Sequence, residues 1–324
     1  MAQAIMLREH GGPQVLRLEE TEVGEPGPGM VRLQQTVVGV NFHDCYVRSG
    51  LYQTLKLPGV PGLEGVGRVT ATGQGVSNIK VGERAAYFTS GYGAYASERI
   101  IHEDLVLRVP DSVDDQIAAA VLLKGLTASM LVHQVHEIGP GDTVLVHAAA
   151  GGVGLLLCQW AKHLGATVIG TAGSAAKVEL AQAAGCDEAI NYTEENFVER
   201  VAEITGGKGV SVVYDSVGKD TFYGSLECLA DRGHLVNFGQ SSGPIDPMPV
   251  SMLSKGSYTL SRPMLFHYTA ERARLVQMAD DLFSALSSGM LQMDPPRSWP
   301  LAQAAEAHRA LEARETMGAV ILTV

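Results

Sequence analysis

Cysteine is scarce in this sequence. The 324 residues contain four, Cys45, Cys158, Cys186 and Cys228, and none stands at metal-ligand spacing from another. That spacing excludes a zinc-finger scaffold and gives no disulfide framework, so buried or loop thiols in a reducing compartment are expected. Charge is also sparse, at 18% of residues against a usual share of about 25%. Positive charge in particular is lacking. A net charge of −11 and a pI near 5.4 make phosphate backbones and anionic lipid poor default partners. The opening MAQAIMLREHGG has no apolar core of signal-peptide length, and no run reaches the roughly 18 apolar residues of a membrane span. These absences lead to the expectation of a soluble, cytoplasmic protein with no membrane partner, for which nucleic acid is disfavoured. No internal repeat or low-complexity segment is visible.

What is present is glycine, 37 residues, and an apolar fraction of 46%. The length suits two domains, and the composition suits an α/β enzyme with many tight turns. Up to about residue 120, Gly and Pro cut the chain into short β-like runs, among them VRLQQTVVGV (31–40), GVGRVTAT (65–72) and ERAAYF (83–88). From about 124 the rhythm becomes strand, helix, strand. TVLVHA (143–148), TVIGT (167–171), EAINY (188–192), VSVVYD (210–215) and HLVNFG (234–239) read as strands, with SYTLSR (257–262) as a sixth candidate. Helices are expected over 152–165, 174–185, the stretch EENFVERVAEITGG and the stretch DTFYGSLECLA, with Ser174 as an N-cap and Gly185 as a stop. Near-continuous apolar strands joined by helices predict a doubly wound parallel sheet covered on both faces. The tail holds two more helices (269–289 and 301–314) and a last apolar strand, GAVILTV (318–324). That strand fits the first, β-rich domain better than the helix-covered sheet. The expected organisation is a discontinuous first domain, 1–124 and 263–324, interrupted by the helix-covered sheet domain at 125–262.

The stretch HAAAGGVG (147–154) places Ala149, Gly151 and Gly154 at the three positions of the G-x-G-x-x-G pattern. The middle glycine admits the close approach of a pyrophosphate, and the last lets the helix pack on the sheet. The helix N-terminus adds unpaired N–H groups and a positive dipole end. After the second strand an NAD enzyme carries an acid for the ribose 2′-OH. Residues 171–177 read TAGSAAK instead: no acid, a hydroxyl at Ser174, a helix start and Lys177, with Tyr192 at the end of the third strand. This is an anion site. Two charge-assisted hydrogen bonds of about 1.5–3 kcal/mol each favour NADPH over NADH by a factor on the order of 10² or more.

The same motifs carry a family resemblance. GDTVLVHAAAGGVGLLLCQWAK (141–162), GVNFHDCYVRSGLY (39–52), LKGLTA (123–128), the stretch 190–222 and FGQSSG (238–243) resemble quinone oxidoreductases of the zeta-crystallin type, in the medium-chain dehydrogenase/reductase superfamily. The resemblance implies a Rossmann domain, a GroES-like β-rich catalytic domain, NADPH and a homodimer joined through the Rossmann sheets. Carried over by position, the coenzyme contacts are Asn41, Phe42, His43, Asp44, Cys45 and Tyr46, then Met130, Gly152, Val153, Gly173, Ser174, Lys177, Tyr192 and Ser216. Phe238, Gly239, Gln240, Ser241, Met264, Leu265, Phe266 and Arg314 complete the set, with Arg314 a second cation for the 2′-phosphate. His43, Cys45 and Met130 depart from the more usual residues, which bears on pocket shape near the nicotinamide.

Zinc alcohol dehydrogenases of the superfamily resemble this chain but carry Cys where it has Asn41 and His where it has Leu63. Glu64 alone does not make a three-ligand catalytic site, and no cysteine lies between Cys45 and Cys158, so no metal is expected. Without a Lewis acid, quinone reduction is the natural chemistry, because a quinone accepts hydride readily. Asn41, Tyr46 and Tyr52 are the candidate catalytic residues, able to hold a flat ring and donate to its carbonyl. Reduction of α,β-unsaturated ketones or aldehydes is the alternative, and it needs a better proton source. A crystallin-like structural or RNA-binding role is the reading from another class; the charge disfavours RNA.

Overall fold

Four short, mostly apolar runs build the greater part of one sheet. TVLV, TVIGTA, EAIN and VSVVYD have too few residues for helices and too few polar side chains for an exposed sheet. In the computed structural model, which describes residues 1–324, they are the strands Thr143–Val146, Thr167–Ala172, Glu188–Asn191 and Val210–Asp215. With Leu229–Asn237 and Thr259–Ser261 they make a six-stranded parallel sheet. From one edge, its order is Glu188–Asn191, Thr167–Ala172, Thr143–Val146, Val210–Asp215, Leu229–Asn237, Thr259–Ser261. The order reverses between the first and fourth strands in sequence, the switch point at which such sheets bind ligands beyond their carboxyl ends. Leu145, Ile169, Ile190 and Val213 are buried in one core with Val201, Phe222 and Leu226 from the covering helices.

The second sheet has seven strands. Met30–Val40 is its centre, paired antiparallel with Glu64–Thr72, with Glu98–His102 and with the last strand, Val320–Thr323. Val320 opposes Val40 and Leu322 opposes Val38, so the C-terminal apolar run fills a place in the N-terminal β-structure. The chain divides into two units accordingly. The first comprises Met1–Lys124, Thr269–Gly289 and Met293–Val324; the second comprises Gly125–Tyr268 and Met290–Gln292. The second unit runs on to Tyr268, past the expected limit at 262, because the short helix Leu265–Tyr268 follows the sixth strand directly.

Several elements differ from expectation, each for a physical reason. The helix expected from EENFVERVAEITGG begins only at Phe197, since Asn196 accepts a hydrogen bond from Val198 N–H at 2.9 Å and caps it. The helix expected over DTFYGSLECLA stops at Glu227, because Leu229 pairs with Val210 and already belongs to the next strand. The helix Asp115–Met130 was not foreseen at all. Its run AAAVLLKGL carries one polar side chain, Lys124, among apolar ones on all sides, and so lacks the 3.6-residue contrast that marks an amphipathic helix. Extended by the π-turn Leu131–Val135, it is long and apolar enough to cross a membrane by length and composition, contrary to the reading that no segment is. Its most apolar window is 72% buried within the protein, which is the behaviour of a core helix.

Candidate functional site

In the second unit the phosphate turn follows Thr143–Val146. Ala148 adopts φ of 52°, unusual for a residue with a Cβ, and turns the chain into the helix Gly152–His163, with Gly151 as its N-cap. The glycine at 154 is demanded by close packing: a Cβ there would stand 2.7 Å from the Ala149 carbonyl oxygen. Ala149, in the place of the first glycine, is fully buried and donates its N–H to the Thr171 carbonyl at 3.0 Å. Gly152 and Val153 open the helix and present its free N–H groups. The turn therefore fits the pyrophosphate of a dinucleotide.

The residues expected to form an anion site lie at the next two strand ends. Ser174 caps the helix Ala175–Ala183, and its Oγ accepts the Lys177 N–H at 3.4 Å. Gly173 lies against the Tyr192 side chain, whose hydroxyl would stand 2.5 Å from a Cβ at this position. Gly173, Ser174, Lys177 and Tyr192 are thus brought together, with the Tyr192 ring 40% exposed. No acid is among them.

At the fourth and fifth strand ends, Ser216 packs on Gly239, where a Cβ would meet the Ser216 Cα at 2.9 Å. Ser241 N–H donates to the Ser216 carbonyl at 3.1 Å. Two organisers of this loop were missed in the sequence. Asp215, fully buried, accepts from Val217 N–H at 2.8 Å, Gly218 N–H at 3.1 Å and the Thr221 hydroxyl at 2.8 Å. Arg262 bonds the Asn237 side chain, the Gly239 carbonyl at 2.8 Å and the Gln240 side chain at 3.2 Å. The signal for Asp215 was its place at a strand's carboxyl end before a V-G turn. Phe238 follows the fifth strand, Met264 is exposed, and Leu265 and Phe266 begin the short helix. Met130, the remaining expected coenzyme contact of this unit, is only 1% exposed.

In the first unit the helix Phe42–Ser49 begins at Asn41 and ends at Gly50, whose φ is 86°. The Asn41 Nδ2 donates to Glu64 Oε1 at 2.8 Å. Phe42, His43, Tyr46 and Tyr52 form one aromatic group: the Tyr46 and Tyr52 rings lie 5.1 Å apart edge to face, Phe42 and Tyr46 5.4 Å, and His43 and Tyr52 5.3 Å. Burial pushes the His43 imidazole down to about 4, so the ring is neutral and its Nε2 meets the Tyr92 hydroxyl at 3.2 Å. The three candidate catalytic residues share this helix and the turn after it. Arg314 also belongs to the first unit, beyond the helix Ala304–Glu312, with φ of 59°.

Two of the expected coenzyme contacts turn inward. Asp44 is fully buried; its Oδ2 accepts from the Asn41 N–H and the Tyr95 hydroxyl, both at 2.9 Å, while Oδ1 has no partner. Burial raises its carboxyl to about 7 against the opposing pull of those donors. Cys45 is 2% exposed and its sulfur faces His308 Nδ1 at 3.5 Å. The period of the helix points positions 44 and 45 into the core while 42, 43 and 46 share the aromatic side. His308 is wholly buried too, and burial followed by the nearby Arg48 lowers it to about 3. Arg48 can only donate, so His308 Nδ1 accepts at 3.4 Å and the ring proton sits on Nε2, directed at the Tyr95 oxygen at 2.9 Å. Arg48 in turn holds Glu312 through two bonds of 2.6 and 2.8 Å.

The donor set does not fit a catalytic zinc. Asn41 and Leu63 are not ligands of the required kind, and the Glu64 carboxylate is already engaged. It accepts from Lys124 Nζ at 3.1 Å and from the Leu123 N–H at 2.8 Å, in addition to Asn41. An ammonium group occupies the charge-compensating role that a metal would need.

Against known families, residues 27–111 match the alcohol dehydrogenase GroES-like domain, and residues 152–281 match the zinc-binding dehydrogenase domain. The chain is 46% identical to a quinone oxidoreductase of Pseudomonas aeruginosa, with 99% of both chains covered. It is 44% identical to a 2-haloacrylate reductase of Burkholderia sp, again over 99% of each. The crystal structure of Escherichia coli quinone oxidoreductase complexed with NADPH superposes with a TM-score of 0.97, at 44% identity and with 100% of both chains covered.

Proposed function

The chain belongs to the quinone oxidoreductase family of the medium-chain dehydrogenase/reductases, and from that premise we propose that it is a zinc-independent NADPH:quinone oxidoreductase. The observation that carries this reading is the pairing of an intact phosphate turn with an acid-free cluster of Gly173, Ser174, Lys177 and Tyr192. NADPH, when bound, supplies the hydride.

Gly152 and Val153 offer backbone N–H groups to its pyrophosphate, and Ser174, Lys177 and Tyr192 hold its 2′-phosphate; Arg314 is a further proposed cation for that phosphate. Ser216, Phe238, Gly239, Gln240 and Ser241 receive the nicotinamide end, in a loop whose shape Asp215 and Arg262 fix. Met264, Leu265 and Phe266 extend that contact. In the first unit, Asn41, Phe42, His43 and Tyr46 are the proposed contacts, and Asp44 and Cys45 support their helix from the core.

Asn41, Tyr46 and Tyr52 orient the quinone. The side-chain amide of Asn41 is fixed by Glu64, and the two tyrosines offer ring faces and O–H donors. A hydrogen bond to the carbonyl oxygen stabilises the negative charge that hydride addition puts there. The protein is proposed to be cytoplasmic and homodimeric, with pairing through the edge of the parallel sheet.

Mixing the purified protein with NADPH and a panel of benzoquinones and naphthoquinones tests the reading; oxidation of NADPH should depend on added quinone and survive chelators. No turnover anywhere on the panel rejects it. Reduction of an activated alkene is the second reading, favoured by the similarity to a 2-haloacrylate reductase. A parallel assay with an α,β-unsaturated ketone separates the two, and faster turnover of the enone would reverse their order.

A further inference from the structure

All four cysteines are free and buried, yet one pair of sulfurs meets: Cys186 Sγ lies 3.4 Å from Cys158 Sγ. Cys158 is in the helix Gly152–His163, which follows the phosphate turn. Cys186 follows Gly185 on the turn leading into Glu188–Asn191. Neighbouring bonds keep the sulfurs in register. The Cys186 N–H donates to the Ala181 carbonyl at 3.1 Å. The next residue, Asp187, binds Lys162 of the Cys158 helix at 2.5 Å and accepts the Val168 N–H at 2.9 Å. Cys186 also reaches the coenzyme turn. A Cβ placed on Gly170 would meet Cys186 Sγ at 2.7 Å and the Ala149 Cβ at 2.8 Å, so sulfur and phosphate turn flank one glycine.

We propose that Cys158 and Cys186 are an oxidation site: a dithiol that a peroxide closes to a disulfide, and whose closure weakens coenzyme binding at the adjoining turn. The second half rests on the NADPH reading above; the first does not. A disulfide needs sulfurs about 2.05 Å apart, so roughly 1.4 Å must be closed. That movement draws the Cys186 turn and the phosphate-turn helix together around Gly170.

Cys186 is 7% exposed and Cys158 0%, so a small peroxide reaches Cys186 first. The Cys186 sulfur takes one oxygen and becomes a sulfenic acid, and the peroxide leaves as water. The Cys158 sulfur then attacks the Cys186 sulfur. The S–S bond forms, the S–O bond breaks, and the departing hydroxyl takes the Cys158 proton as a second water. Two thiols lose two hydrogens while one peroxide becomes two waters. The contact with Cys186 and burial keep the Cys158 thiol protonated, so closure is slow and needs sustained exposure.

The test treats the full chain with hydrogen peroxide, then reads intact mass without reductant, free thiols, peptide cross-links and NADPH affinity by fluorescence. The expected result is a mass loss of about 2 Da, loss of two thiols, a Cys158–Cys186 cross-link and a roughly tenfold rise in the NADPH Kd, all reversed by dithiothreitol. Cys186→Ser and Cys186→Ala, two variants in case one folds poorly, should show neither the mass loss nor the change in Kd. Addition of oxygen without cross-linking, or a cross-link to Cys45 or Cys228, overturns the site. A Cys158–Cys186 disulfide with unchanged NADPH affinity overturns the coupling. Failure of the untreated protein to bind NADPH would instead count against the coenzyme reading, while the mass measurement still decides the disulfide.

Discussion

Replacing Lys124 by Met strands a buried carboxylate. The ammonium lies 3.1 Å from Glu64 Oε1, with side chains 7% and 0% exposed, so solvent screens the pair little. At an effective dielectric of about 20, that separation gives an attraction of about 5 kcal/mol before desolvation. Because desolvation offsets much of it, the pair as a whole adds little net stability, yet loss of one partner leaves an uncompensated charge. Glu64 would keep only the Asn41 and Leu123 N–H donors. The expected cost of Lys124→Met is therefore about 3–5 kcal/mol. Adding Glu64→Gln, which removes the charge and keeps an acceptor, should bring the deficit back to about 1 kcal/mol. Urea unfolding followed by tryptophan fluorescence measures both. The chain has two tryptophans, Trp160 in the second unit and Trp299 in the first, so a Trp160→Phe background reports the unit that holds the pair. A single variant less than about 1 kcal/mol down, or a double variant no better than the single, would refute the account of Glu64 as a paired, metal-independent carboxylate.

Lys177→Ala should raise the KM for NADPH about tenfold while leaving kcat and the KM for NADH nearly unchanged, because the 2′-phosphate is bound alike in ground and transition states; steady-state kinetics with both coenzymes checks it. Gly154→Ala forces a methyl against the Ala149 carbonyl and should destabilise the second unit by about 1–3 kcal/mol, read by Trp160 fluorescence in urea, with coenzyme affinity falling alongside. Tyr52→Phe should lower kcat/KM for quinone and leave the NADPH Kd unchanged; equal kinetics would remove its hydroxyl from the reaction. His308 and Asp44 give opposite pH signatures. His308, lowered to about 3 from 6.5, withholds its proton in the fold, so its contribution is present above 6.5 and is lost as pH falls toward 3. Asp44, raised to about 7 from 3.8, holds its proton in the fold, so its contribution is present below 3.8 and is lost as pH rises through 7. His308→Gln removes the first effect, and its stability measured by urea titration should decline with pH between about 4 and 7 more steeply than that of the parent.

The sequence by itself determined the elements whose signal is local. Alternating strand and helix with Gly-rich turns specified the parallel sheet, and Ala149, Gly151 and Gly154 specified the phosphate turn, because spacing along one strand-to-helix link fixes that geometry. The want of an acid in 171–177 could be read in the same way, since the residue after the second strand always reaches the same place. Tertiary structure decided what depends on partners distant in the chain. The helix Asp115–Met130 was illegible because its few polar residues do not gather on one face, so no period shows, and its faces are defined only by what covers them. Asp44 and Cys45 stand beside Asn41 in sequence, but the helical turn and the arrival of Tyr95 and His308 draw them into the core. Glu64 resembled a leftover zinc ligand until Lys124, 60 residues on, was brought within 3.1 Å of it. Local pattern fixes backbone conformation because its causes lie within a few residues; the state of a buried charge is fixed by whichever group packing delivers to it.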